Sequence, residues 1–102
     1  MFDGSVLYTT RWGGGVRVTS NDGTTWTNLN SGLPSLFAQD IVQANSILFV
    51  GTAGGVFLST DNGNSWDSAD TTLRNDPIWE IATNGRFLYA ADSSGVVWSH
   101  AL

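Results

Sequence analysis

The sequence predicts an all-β chain built from repeated four-stranded antiparallel units, with a partial unit at either end. Three observations carry this expectation. The chain matches itself at a spacing of about 40 residues. Each period holds short β-branched or aromatic runs bounded by Gly, Asn, Asp and Ser clusters. No window keeps apolar residues at i, i+3, i+4 and i+7 long enough to support a helix.

The repeat is read from residues that chance rarely keeps in register. Gly14-Gly15-Val16 falls on Gly54-Gly55-Val56, and Gly55-Val56 falls on Gly95-Val96. Gly23 meets Gly63, Trp26 meets Trp66, Leu33 meets Leu73, Ile41 meets Ile81, Leu48 meets Leu88 and Ser59 meets Ser99. Leu7-Tyr8 matches Leu48-Phe49 one residue out of phase, which places one extra residue near Arg11-Trp12.

The elements follow in order within each period. An innermost strand A is expected at 38–44 and from Ile78 to Thr83. Strand B is expected from Val6 to Thr10, Ile47 to Thr52 and Phe87 to Asp92. Gly-rich or Ser-rich turns close each B strand, and strand C follows at 16–19, 56–60 and 96–100. The tight turns Asn21-Asp22-Gly23 and Asp61-Asn62-Gly63 lead to strand D near 26–29 and 66–69. Asn84-Gly85 between apolar runs is a hairpin signal joining A to B. This gives three, four and three strands in units 1–36, 37–76 and 77–102. Four antiparallel strands in about 40 residues is the period of a β-propeller blade, so the predicted fold class is all-β, with about 2.5 blades.

Ser59-Thr60-Asp61-Asn62-Gly63-Asn64-Ser65-Trp66 carries the pattern S-x-D-x-G-x-[ST]-W, and Thr19 to Trp26 carries it with Asn21 in place of Asp. This resembles the Asp-box (BNR) repeat of β-propellers, and the string Gly54 to Gly63 is similar to the bacterial multi-repeat type. The chemistry of the spacing is structural. Gly23 and Gly63 supply φ > 0 at a sharp turn. Asp61 accepts backbone N–H bonds across that turn, with Ser59 and Ser65 adding others; Thr19 and Thr25 stand at the equivalent places, and Asn21 caps without the charge. Trp66 then buries its ring between blades and fixes the turn against the core, and Trp26 stands at the equivalent place. The resemblance implies that these turns lie at blade corners away from a ligand face. The third unit departs from the pattern, ending at Ser99-His100-Ala101-Leu102.

Composition bounds the function. The net charge is −5 at pH 7, from nine Asp and Glu against four Arg and no Lys. Nucleic acid and anionic membranes, which draw on clustered cations, are not expected partners. With no Cys and one His, thiolate sites and His-cluster metal sites have no donors within one chain, and neither metal nor cofactor is expected. The Asp-box also occurs in sialidases, whose chemistry needs three Arg around a carboxylate and a Tyr–Glu pair. Arg11, Arg17, Arg74 and Arg86 fall at different places in the repeat, and Glu80 is the only Glu. The chain is therefore read as a non-enzyme.

Two pairs remain as candidate sites. Arg11-Trp12 adjoin in a Gly-rich loop, where Trp12 is placed to stack on a sugar face and Arg11 to donate to hydroxyls or a carboxylate; the bland alternative is packing of Trp12 on its own blade. Asp40 and Glu80 align in strand A, where repeated acids would line a central channel. Trp79 beside Glu80 is read as core or channel wall. The functional expectation is a non-catalytic scaffold or interaction module that self-assembles, with a lectin-like module using Arg11 and Trp12 as the alternative and a glycosidase-like fragment more remote. A homo-oligomer, a dimer closing a six-sheet ring, is expected because sheet faces at the ends of an open arc would otherwise meet water. Val96 and Trp98 at one end, and Val6, Tyr8 and Val16 at the other, are the expected junction residues. A glycan or protein ligand is the other expected partner.

Overall fold

The computed structural model describes residues 1–69, 77–92 and 95–102, and these form three antiparallel sheets with no helix. The first sheet is β1 (Phe2–Asp3), β2 (Val6–Arg11), β3 (Gly15–Thr19) and β4 (Thr27–Asn28), paired in that order. The second is β5 (Ala38–Ala44), β6 (Ile47–Thr52), β7 (Gly55–Ser59) and β8 (Asp67–Ser68). The third is β9 (Ile78–Thr83), β10 (Phe87–Asp92) and β11 (Val97–Ala101). Leu73, the repeat partner of Leu33, lies in 70–76, outside the described residues, as does the Ser93-Ser94 part of the turn that follows the third strand B.

Among the described residues, the expected count of three, four and three strands is corrected to four, four and three. Phe2 and Asp3 pair with Leu7 and Val6, closing a turn on Gly4 at φ +62°. Two residues are too few to show alternation, so Asp3-Gly4-Ser5 reads in sequence as a turn alone. Strand D is likewise only two residues in each complete sheet, and Trp26 and Trp66 stand just before it.

Two cores separate the three sheets, and strand parity assigns residues to them. Tyr8 and Val16 of the first sheet pack with Ala38, Ile41, Leu48, Val50, Phe57 and Trp66 of the second. Phe49 and Val56, on the opposite face of the second sheet, pack with Ile78, Ile81, Leu88 and Ala90 of the third. Tyr8 and Val16 are thus buried within the chain, which corrects their expected place at an end junction. Tyr8 takes the place of Phe49, and both face the sheet that follows.

The third sheet departs from the repeat in one respect. Leu7 pairs with Thr19 and Leu48 with Ser59, but Leu88 pairs with His100 rather than Ser99. The first sheet has an inserted residue to lengthen its β2–β3 turn; the third has none. Its β10–β11 turn instead takes a residue from the strand, held by Asp92 N–H on the Val96 carbonyl (3.0 Å) and Val96 N–H on the Asp92 carboxylate (3.0 Å). A one-residue slip turns every side chain of a strand over. Trp98 therefore packs against the inter-sheet core, correcting its expected place on the outer face, and Val97 is 67 % exposed instead.

Candidate functional site

Antiparallel order puts the start of each inner strand and each β-turn between the second and third strands at one end of the sheets. The turns at 19–26 and 59–66 lie at the other end. At that far end, each turn is a closed hydrogen-bond unit. Ser59 Oγ donates to Asp61 Oδ1 at 2.7 Å and accepts from the N–H groups of Gly63 (2.8 Å) and Asp61 (3.3 Å). Asp61 then accepts from Ser65 N–H (2.9 Å) and Ser65 Oγ (2.6 Å). The Ser65 hydroxyl, then the Ser59 hydroxyl and the Ser65 N–H, hold the Asp61 carboxyl down at about 2. In the first turn Thr19 Oγ1 plays the Ser59 part, but the direction of one bond reverses: the Asn21 amide donates to Thr25 Oγ1 at 2.8 Å. Gly23 and Gly63 have φ +83° and +89°, and a Cβ on Gly63 would meet Leu29 Cδ1 at 2.8 Å.

Trp66 is 3 % exposed, and its indole Nε1–H donates to the Leu29 carbonyl of the preceding sheet at 2.8 Å. Trp26 is half-buried on the outer face of the first sheet, with the Arg17 guanidinium 4.7 Å above its ring. These residues staple turn to sheet and sheet to sheet.

The inner-strand acids do not come together. Asp40 Oδ1 accepts from its neighbour Ile41 N–H (2.9 Å), and Oδ2 accepts from Ile81 N–H of the third sheet (3.1 Å). Glu80 is exposed, opposite Ala91, and lines a shallow hollow of about 110 Å³ on the third sheet's far face with Tyr89 and Val97. Arg11 and Trp12 also diverge. Arg11 lies back over its own turn, where a Cβ on Gly14 would meet its Cβ at 3.0 Å. Trp12 turns the other way, bridges to Phe37, and stacks with Trp79 at 5.8 Å between ring centroids and 7° between planes. Phe37 leans on Trp12 at 5.1 Å and 56°.

This aromatic group joins all three sheets at the end away from the 19–26 and 59–66 turns. Trp12, Phe37 and Trp79 are 54, 47 and 48 % exposed, so Trp79 is a surface residue and the expectation of a core position is corrected. Its position has a local cause. The β9–β10 register shifts between Ala91 and Asp92, which pair with Glu80 and Ile78 and leave Trp79 on a bulge. Gln39 occupies the matching bulge of β5, between Ala38 and Asp40. Bulges re-aim the side chain they carry. Phe37 is held from both sides, since its carbonyl accepts from Ala53 N–H (2.9 Å) and the Leu36 carbonyl accepts from Gly15 N–H (2.8 Å). The sequence reading missed Phe37 and Gln39; their signal was position, since both flank the start of an inner strand at the end where Trp12 lies. Arg74 lies outside the described residues.

No family model matches the chain, and no curated protein matches it. Among solved structures it is similar to an ancestral GH74 enzyme, at a TM-score of 0.73 and 28 % identity over 86 % of this chain. The chain spans only 12 % of the length of that enzyme. The likeness and the three stacked antiparallel sheets define a protein of propeller-type, all-β fold.

Proposed function

We propose that the chain is a non-catalytic β-propeller scaffold module that self-associates, with Asp-box turns at 19–26 and 59–66. The observation that carries this reading is the outer face of the third sheet. It repeats the positions by which the second sheet meets the third, yet Phe87, Tyr89 and Val97 stand exposed on it. Burying such a face is favourable by roughly 25 cal/mol per Å² of apolar area. A second copy, in a dimer that completes a ring, is the proposed cover. The non-catalytic part is supported by how the carboxylates are used: Asp40 and Asp61 are each engaged by N–H or O–H donors of the scaffold itself. Multi-angle light scattering at micromolar concentration should give twice the 10.9 kDa chain mass. Tyr89→Glu should return the mass to that of one chain with the circular dichroism unchanged. A folded wild-type monomer overturns the self-association reading.

A second reading, a carbohydrate-binding module, is favoured by the exposed aromatic group and by the similarity to a GH74 enzyme, a glycoside hydrolase. Its test is retention on immobilised polysaccharides, which should fall when Trp12 is replaced by Ala.

A further inference from the structure

We propose that Trp12, Phe37 and Trp79, with Gln39 at their rim, form a binding site for the uncharged, gluco-configured rings of an oligosaccharide. The proposal rests on the carbohydrate-binding reading and fixes its site and ligand class. Four observations carry it.

The first is ring geometry. Trp12 and Trp79 are parallel within 7°, but their centroids are 5.8 Å apart. Carbon atoms of rings in contact lie about 3.5–4.0 Å apart, so these rings are slid past one another and each leaves face area open. A pyranose with equatorial hydroxyls presents axial C–H groups on both faces, and these pack against the negative face of an aromatic ring.

The second is preorganisation. The link at Leu36 and Phe37 is bonded to the turns of both the first and second sheets. The bulge at Trp79 is set by the β9–β10 register. Little ordering entropy is left to lose when a ligand binds.

The third is polarity at the rim. Gln39 is exposed on the bulge equivalent to that of Trp79, and its amide offers both donors and an acceptor for sugar hydroxyls.

The fourth is charge. Arg11, the nearest cation in sequence, lies over Gly14 instead of turning with Trp12, while Glu80 follows Trp79 and is exposed. With a chain charge of −5, a carboxylated sugar is disfavoured and a neutral one is not.

The test is isothermal titration of the whole chain with cellohexaose, maltohexaose and, as the anionic control, sialyllactose. At least one neutral hexaose should bind, and sialyllactose should not. Trp12→Ala and Trp79→Ala should each weaken binding roughly tenfold or more, and Trp12→Phe should weaken it less. Gln39→Ala, at an exposed position, should weaken it with an unchanged circular dichroism spectrum. If a hexaose binds wild type and both Trp→Ala variants equally, the site is wrong while the carbohydrate reading stands. If no hexaose binds the folded wild-type chain, both fall. If sialyllactose binds more tightly than either hexaose, the ligand class is overturned.

Discussion

Asp40, on the inner strand of the second sheet, accepts the backbone N–H of Ile81 on the inner strand of the third at 3.1 Å. This bond crosses the gap between two sheets whose shared core is apolar, and Asn45 Nδ2 reaches the Gly85 carbonyl (3.5 Å) between their hairpin turns. The same carboxylate holds Ile41 N–H, so one side chain sets the spacing of two inner strands.

Replacing Asp40 by Ala should therefore cost about 1–3 kcal/mol, the usual penalty when a partly buried N–H loses a charged acceptor. Asp40→Asn keeps one carbonyl oxygen and should cost less. Urea unfolding of the three proteins checks this order. Equal midpoints for wild type and Asp40→Ala would show that water serves the Ile81 N–H as well as the carboxylate does.

Asp61 gives the chain an acid-sensitive turn. Its folded pKa, near 2, is below the ordinary value of 3.8, so the unfolded chain binds the proton more readily. The stability it contributes is fully present above about pH 4 and is lost as pH falls through 2. Asn21 fills the same place in the first turn without a titrating group. Thermal unfolding of wild type and Asp61→Asn between pH 5 and pH 2 should converge as the pH falls. A constant difference between them across that window would exclude Asp61 as the source.

The two turn tryptophans should separate in energy although the repeat aligns them. Trp66 is buried and bonded to the Leu29 carbonyl, and Trp66→Ala should cost about 3–5 kcal/mol. Trp26 keeps one side in water beneath Arg17, so Trp26→Ala should cost roughly half as much or less. Arg17 takes the place of Phe57, which faces the inter-sheet core. Denaturant midpoints of the two variants give the comparison.

Periodicity made the sheets, their order and the chemistry of both turns legible, because those depend on local spacing. Ser59, Asp61, Gly63 and Ser65 bond to one another within four residues of sequence. What stayed hidden depends on facing. Whether Tyr8 points inward or to an open end follows from which neighbouring sheet it meets, and a single repeat position cannot say. That Arg11 and Trp12 turn apart was hidden for the same reason, since adjacent residues along a strand point to opposite faces. The Trp12–Trp79 stack joins residues 67 positions apart, 79 less 12, on the first and third sheets. No local pattern announces such a contact.

The register of β11 decides one more outcome. Were Leu88 opposite Ser99, as the repeat aligns them, Trp98 would face outward and Val97 inward. In the slipped register Trp98 packs against Ala90 and its neighbours, and Val97 is the exposed residue. Val97→Lys should then change the unfolding free energy of the chain by less than about 0.5 kcal/mol, as at an ordinary surface position, when measured under conditions where the chain is monomeric. Trp98→Ala should cost about 2–3 kcal/mol, below the full range for a buried Trp because the ring is half-buried. The Trp98 indole N–H is buried without a partner, so Trp98→Phe removes an unsatisfied donor while keeping most of the packing. That variant should be close to wild type in stability. If Val97→Lys proves the costly change and Trp98→Ala the mild one, β11 has the register of the other two sheets.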